Sequence, residues 1–174
     1  MYYKEYGNKE GQLVVFIHGG FTTNESFAKQ YHLLPDKRMI FVDLPGCGKS
    51  ERTGIKNFSF DDSAMEIIKL IKQLSPENKA VLIAHSYGTT WRCVCDMQKD
   101  AWSKFSLNSM ETNKKIKSLF LVAEKDIKEI RESMKLWEKI FPNHESYIVK
   151  NSGHNYFTDF HKIVNPIIIQ FLMK

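Results

Sequence analysis

Leu13-Val14-Val15-Phe16-Ile17 is an unbroken apolar run, rich in β-branched and aromatic side chains, set between Gly11-Gln12 and His18-Gly19-Gly20. The run is too short for a helix and shows no polar alternation. It predicts a strand buried on both faces, which belongs in the middle of a parallel sheet. Parallel neighbours need crossover connections, usually helical. The chain supplies both parts. Further strands are predicted at 2–6, 39–42, 80–83, 105–108, 119–122 and 146–149, and Val81-Leu82-Ile83 reads as a second strand of continuous apolar character. Between them, 61–74 repeats Met65, Ile67, Ile68, Leu70, Ile71 and Leu74 at helical spacing, with Asp61 and Asp62 near the positive N-terminal end. Segment 127–141 does the same through Ile130, Met134, Trp137 and Ile140 before Pro142 stops it, and 161–173 is the closing helix, restricted or kinked by Pro166. The expected class is α/β, with a doubly wound, mostly parallel sheet flanked by helices.

A chain of 174 residues suits one domain over 1–174, with no internal repeat or low-complexity stretch. A net charge of +5 invites a nucleic-acid reading, but the one tight basic group, Lys114, Lys115 and Lys117, precedes an apolar run and reads as a solvated turn. No nucleic-acid partner is expected. Runs 13–17 and 167–173 fall far short of the ~20 residues of a membrane span, and the N-terminus lacks a secretory pattern, so a cytoplasmic protein is expected. Cys47, Cys93 and Cys95 lack CxxC spacing and read as structural thiols.

Chemistry enters at Ala84-His85-Ser86-Tyr87-Gly88. A serine hydroxyl is a weak nucleophile unless a rigid mount projects it towards a base, and a sharp strand-to-helix turn flanked by small residues is such a mount. Ser86 is the candidate nucleophile; the bland reading is a serine capping an ordinary helix. Asp126, just beyond the run 119–122, is the candidate acid, with Glu124 its competitor and an ion pair with Lys125 the alternative for either. His154, in the turn Asn151-Ser152-Gly153-His154 after the run 146–149, is the candidate base, with His161 the alternative. His18-Gly19-Gly20-Phe21 offers backbone N–H groups for an oxyanion: Gly20 first, Phe21 second, completed by the N–H of Tyr87. Gly46-Cys47-Gly48-Lys49-Ser50 imitates a phosphate-binding loop, but the glycine that such a loop needs at position 43 is Asp43, whose charge would repel phosphate.

These residues together resemble the α/β-hydrolase superfamily over nearly the whole chain, above all small esterases with an HGG turn, a DLPGxGxS loop and an HSxG elbow. The matching pieces are 18–20, 43–50, 85–88, Asp126 and 152–154; Ala84 replaces the usual first glycine of the elbow. The resemblance implies the chain order nucleophile, acid, base that Ser86, Asp126 and His154 follow. It also implies that 43–50 is a structural loop with Lys49 in solvent. Many relatives insert a helical cap between the strands matching 105–108 and 119–122, where this chain has only a loop at about 110–118. A capless site would expose Phe21, Tyr87, Trp91 and Tyr156 as a substrate rim, suited to a small or lipid-like ester or to self-association. The expectation is a carboxylesterase-type serine hydrolase with no metal or organic cofactor; the alternative is an inert, cut-down scaffold with a binding role.

Overall fold

A computed structural model of the chain describes residues 1–20, 22–51, 60–75, 77, 79–85 and 117–174. The chain divides into two compact units, Met1–Lys104 and Phe105–Lys174. The strand expected at 105–108 and most of the connector expected at 110–118 lie outside the described residues.

The first unit holds strands β1 (Tyr3–Gly7), β2 (Leu13–Ile17), β3 (Arg38–Val42) and β4 (Val81–Ala84) in the spatial order β1-β3-β2-β4. β2 runs parallel to β3 and β4, while β1 lies antiparallel on the outer side of β3. As its unbroken apolar sequence requires, β2 is buried along its whole length. Its alternate residues serve two layers. Leu13, Val15 and Ile17 join Ile40, Val42 and Leu44 under Ile67 and Leu70 of helix α1 (Phe60–Leu74). On the other face the Phe16 ring stacks on Phe41 at 4.2 Å and meets Phe27 edge-on at 5.4 Å. Phe27 belongs to a 3-10 segment, Asn24–Gln30, which the hydrophobic pattern did not announce; Thr23 caps its start by accepting the Glu25 N–H. Helical structure therefore covers both faces of β2 and β3.

β4 departs from expectation. Val81-Leu82-Ile83 was read as buried on both faces, yet burial alternates along it and Leu82 is half exposed. Leu82 lies across from Val15 in register, on the face that carries α1, but the apolar stripe of α1 covers β2 and β3 and stops short of it.

The second unit pairs β5 (Ser118–Ala123) in parallel with β6 (His144–Val149), from Ser118 opposite His144 to Ala123 opposite Val149. Between them runs α2 (Lys128–Ile140), one residue inside each predicted bound; Phe141 ends it by donating its N–H to the Trp137 carbonyl, ahead of Pro142. After β6 come a short helix, α3 (Tyr156–Asp159), and α4 (His161–Leu172), which continues through Pro166 and buries Val164 and Ile168. Pro166 is the sixth residue of α4, past the first turn, so it removes one bond to the carbonyl four residues earlier without ending the helix. Among the described residues no helix is long and apolar enough to cross a membrane.

Candidate active site

β2 and β4 are parallel, so both end at the same edge of the first sheet. Ile17 stands opposite Ala84, and the pairing continues one step further, the His85 N–H donating to the Ile17 carbonyl at 3.0 Å. The turn His18-Gly19-Gly20 thus begins beside His85, the residue that precedes Ser86. Ser86 itself, together with Phe21, Tyr87 and Trp91, lies outside the described residues; Gly20 lies within them and is half-buried.

Side chains brace the glycine turn from within. His18 is fully buried, and its Nε2 accepts the Leu44 N–H at 3.0 Å. A ring nitrogen that accepts carries no proton, so the proton sits on Nδ1, which donates to the Gly19 carbonyl at 2.5 Å. Thr22 Oγ1 donates to the same oxygen at 3.1 Å. Burial holds the His18 pKa below its ordinary value and keeps the ring neutral. The next brace is Asp43. Its Oδ1 accepts the Asn24 backbone N–H at 2.8 Å and the Asn24 side-chain amide at 2.6 Å, and its Oδ2 accepts the Lys49 N–H at 2.9 Å. Burial works to raise this carboxyl's pKa, but those bonds outweigh it and hold the group below the usual range. The Lys49 N–H, which a phosphate cradle would turn towards its anion, is spent on that carboxylate. The Lys49 side chain is exposed, as expected, and its ammonium stands 5.2 Å over the Tyr2 ring.

In the second unit the two candidates read from the strand ends come together. Asp126 lies just past β5 and His154 just past β6. The His154 Nδ1 is 2.7 Å from Asp126 Oδ2, with side-chain exposures of 35% and 5%. The carboxylate oxygen accepts, so Nδ1 donates, and in a neutral ring the lone pair is then on Nε2, on a side chain that solvent still reaches. The second Asp126 oxygen, Oδ1, accepts the Ile127 N–H at 2.9 Å where α2 begins, so this carboxylate is fixed at both oxygens.

Glu124, the competing acid, does something else. Its Oε2 accepts the Asn151 N–H at 2.8 Å and its Oε1 receives Lys150 Nζ at 2.9 Å; the ion-pair partner is Lys150 rather than the Lys125 of the alternative reading. The Asn151 bond, then Lys150, hold the Glu124 carboxyl below its ordinary range. Asn151 has φ = 58°, the left-handed region that asparagine tolerates better than most residues. The Lys125 N–H donates to the Ser152 carbonyl at 2.9 Å, and the buried Ser152 hydroxyl donates to the Val149 carbonyl at 2.6 Å. These braces on the His154 turn were not foreseen, although asparagine before two small residues is the signal that marked the turn.

One further expectation changes. Tyr156, assigned to an exposed rim, is 7% exposed; its hydroxyl donates to the Leu121 carbonyl at 3.1 Å, and burial, assisted by the Asp126 charge, pushes its pKa up. It is a structural residue of the second unit, because α3 begins at this position and turns the ring inward. His161, the alternative base, has its Nδ1 bonded to the Thr158 carbonyl at 2.9 Å, where α3 passes into α4.

The model of the alpha/beta hydrolase fold family matches residues 12–92. Among solved structures, a serine hydrolase involved in carbazole degradation superposes with a TM-score of 0.78 at 14% identity, covering 98% of this chain and 93% of that one. The chain has the α/β-hydrolase fold. MenH from S. aureus superposes on this α/β-hydrolase-fold chain with a TM-score of 0.71 at 17% identity, covering 98% of it and 97% of MenH. The Bacillus subtilis (strain 168) protein called uncharacterized hydrolase YugF is 35% identical over 89 residues, which make up 51% of this chain and 32% of that protein. For three of the curated relatives it matches, the chain spans 26% to 53% of their lengths.

Proposed function

We propose that this chain is a serine hydrolase that cleaves carboxylic esters through an acyl-enzyme, with Ser86 as nucleophile, His154 as base and Asp126 as the orienting acid. The observation that carries the reading is the 2.7 Å bond between His154 Nδ1 and Asp126 Oδ2. It sets the tautomer in which Nε2 can take a proton. In the proposed reaction Nε2 removes the Ser86 hydroxyl proton as Oγ bonds the ester carbonyl carbon. The N–H groups of Gly20 and Tyr87 hold the resulting oxyanion. The imidazolium then returns the proton to the leaving alcohol as the C–O bond breaks, and water, activated by the same nitrogen, releases the acid and restores Ser86. Support for the first half of the site comes from the paired ends of β2 and β4, which bring the glycine turn alongside His85. Small or lipid-like esters are the proposed substrates.

The test is turnover of p-nitrophenyl acetate and butyrate, with labelling by a fluorophosphonate probe, for the wild type and Ser86→Ala. The reading expects both signals in the wild type and neither in the variant; equal rates would end it. Thioester, amide and ketone substrates of matched size decide which bond is preferred. The alternative reading is an inert scaffold with a binding role. A folded wild type whose Ser86 stays unlabelled would favour that reading.

A further inference from the structure

We propose that Glu124 is a positioning residue for the base: through its bond to the Asn151 N–H it sets the turn that presents the His154 imidazole to Asp126, an inference that rests on the role proposed for His154. The chain must turn sharply between the end of β6 at Val149 and His154, and it does so with Asn151 at φ = 58°. A non-glycine residue held there costs on the order of 1 kcal/mol and persists only where its surroundings over-determine it. Three bonds tie this turn to the segment that follows β5. The Glu124 N–H donates to the Val149 carbonyl at 3.1 Å, the Lys125 N–H donates to the Ser152 carbonyl at 2.9 Å, and Glu124 Oε2 accepts the Asn151 N–H at 2.8 Å. The first two are made by backbone, whatever side chains the positions carry. The third alone depends on a side chain, and it grips the left-handed residue itself. Because Asp126 is two residues beyond Glu124, one short segment holds both the acid and the group that orders the base's turn.

The Lys150 contact does not carry this role. Its Nζ meets the other oxygen, Oε1, at 2.9 Å from a side chain that is 71% exposed, and such surface pairs contribute little. The needed property is therefore an acceptor at Oε2 rather than a negative charge, and glutamine retains the acceptor.

The experiment compares Glu124→Ala, Glu124→Gln and Lys150→Ala with the wild type by ester turnover and by NMR of the His154 Nδ1 proton, whose downfield resonance reports the bond to Asp126. In Glu124→Ala, kcat should fall by about tenfold with KM nearly unchanged, as a small misplacement of a catalytic group produces, and the resonance should broaden or vanish. Glu124→Gln should restore the resonance and most of kcat, and Lys150→Ala should stay within about twofold of the wild type. A Glu124→Ala protein with wild-type kcat and an unaltered resonance would overturn the inference, as would a Glu124→Gln protein as impaired as Glu124→Ala. The two failures are separable: a wild type that neither turns over esters nor labels at Ser86 defeats the proposed function, while the resonance still decides whether Glu124 sets the imidazole.

Discussion

Asp126 works with both of its oxygens, one on the His154 ring and one on the Ile127 N–H where α2 starts. Asp126→Asn keeps the shape and the helix contact but puts a neutral amide against the imidazole. The tautomer with a proton on Nδ1 then loses its charged acceptor. Ester turnover should fall by about 10³- to 10⁴-fold with little change in melting temperature, and steady-state kinetics beside a thermal melt checks both. Single residues also differ in how far the sequence exposes them. Asp126 and His154 were legible because each follows a strand of a parallel sheet, whose carboxyl-end loops gather at one edge. The bond that Glu124 accepts from the Asn151 N–H was not, because a carboxylate does not reveal which N–H will lie across from it. Tyr156 was misread for a related reason: an aromatic after a polar turn resembles a surface residue until the helix that starts there is known to bury it.

Turns show the same contrast at the scale of elements. Gly48 has φ = 53°, and a Cβ there would collide with the Asp43 carboxylate that the Lys49 N–H satisfies. Gly153, beside the base, has open space around its Cα. Gly48→Ala should cost about 1–3 kcal/mol by combining strain with disruption of Asp43, whereas Gly153→Ala should stay within about 0.5 kcal/mol, as read from urea unfolding. Equal costs would show that the two glycines are not distinguished by their surroundings. Among strands, β2 was legible to the residue because burial on two faces leaves no polar position in it. β6 starts earlier than expected, since His144 and Glu145 are only half-buried and their polar side chains hid two residues that pair fully with Ser118 and Leu119. The 3-10 segment was invisible to a search for helical period because it is short and bends at Phe27, and it is held by the Thr23 cap and the Asn24 bonds to Asp43.

For the molecule as a whole, the shifted groups predict a stability maximum between two losses. His18 and Asp43 both bind protons less readily folded than unfolded. As pH falls below about 6.5 the unfolded chain therefore takes up a proton that folded His18 refuses, and Asp43 adds a second loss below about 4. Tyr31 and Tyr156 are shifted the other way, both chiefly by burial. Above about pH 10 the unfolded chain gives up protons that the folded chain keeps, so stability falls again as pH rises. Calorimetric melting temperatures should be highest near neutral to mildly alkaline pH and lower on both sides; a rise towards about pH 5 would contradict the assignment of His18 as buried and neutral.

The antiparallel placement of β1 also bears on synthesis. Its partner is β3 rather than β2, the next strand along the chain. On a translating ribosome, residues 3–7 emerge before the strand they join, and the groups that pair with β3 stay unmatched until residues 38–42 have followed. β2 faces the same delay with β3 and a longer one with β4, whose residues 81–84 come last. The order of manufacture and the order of pairing therefore differ in this sheet: the strand made first waits on the third.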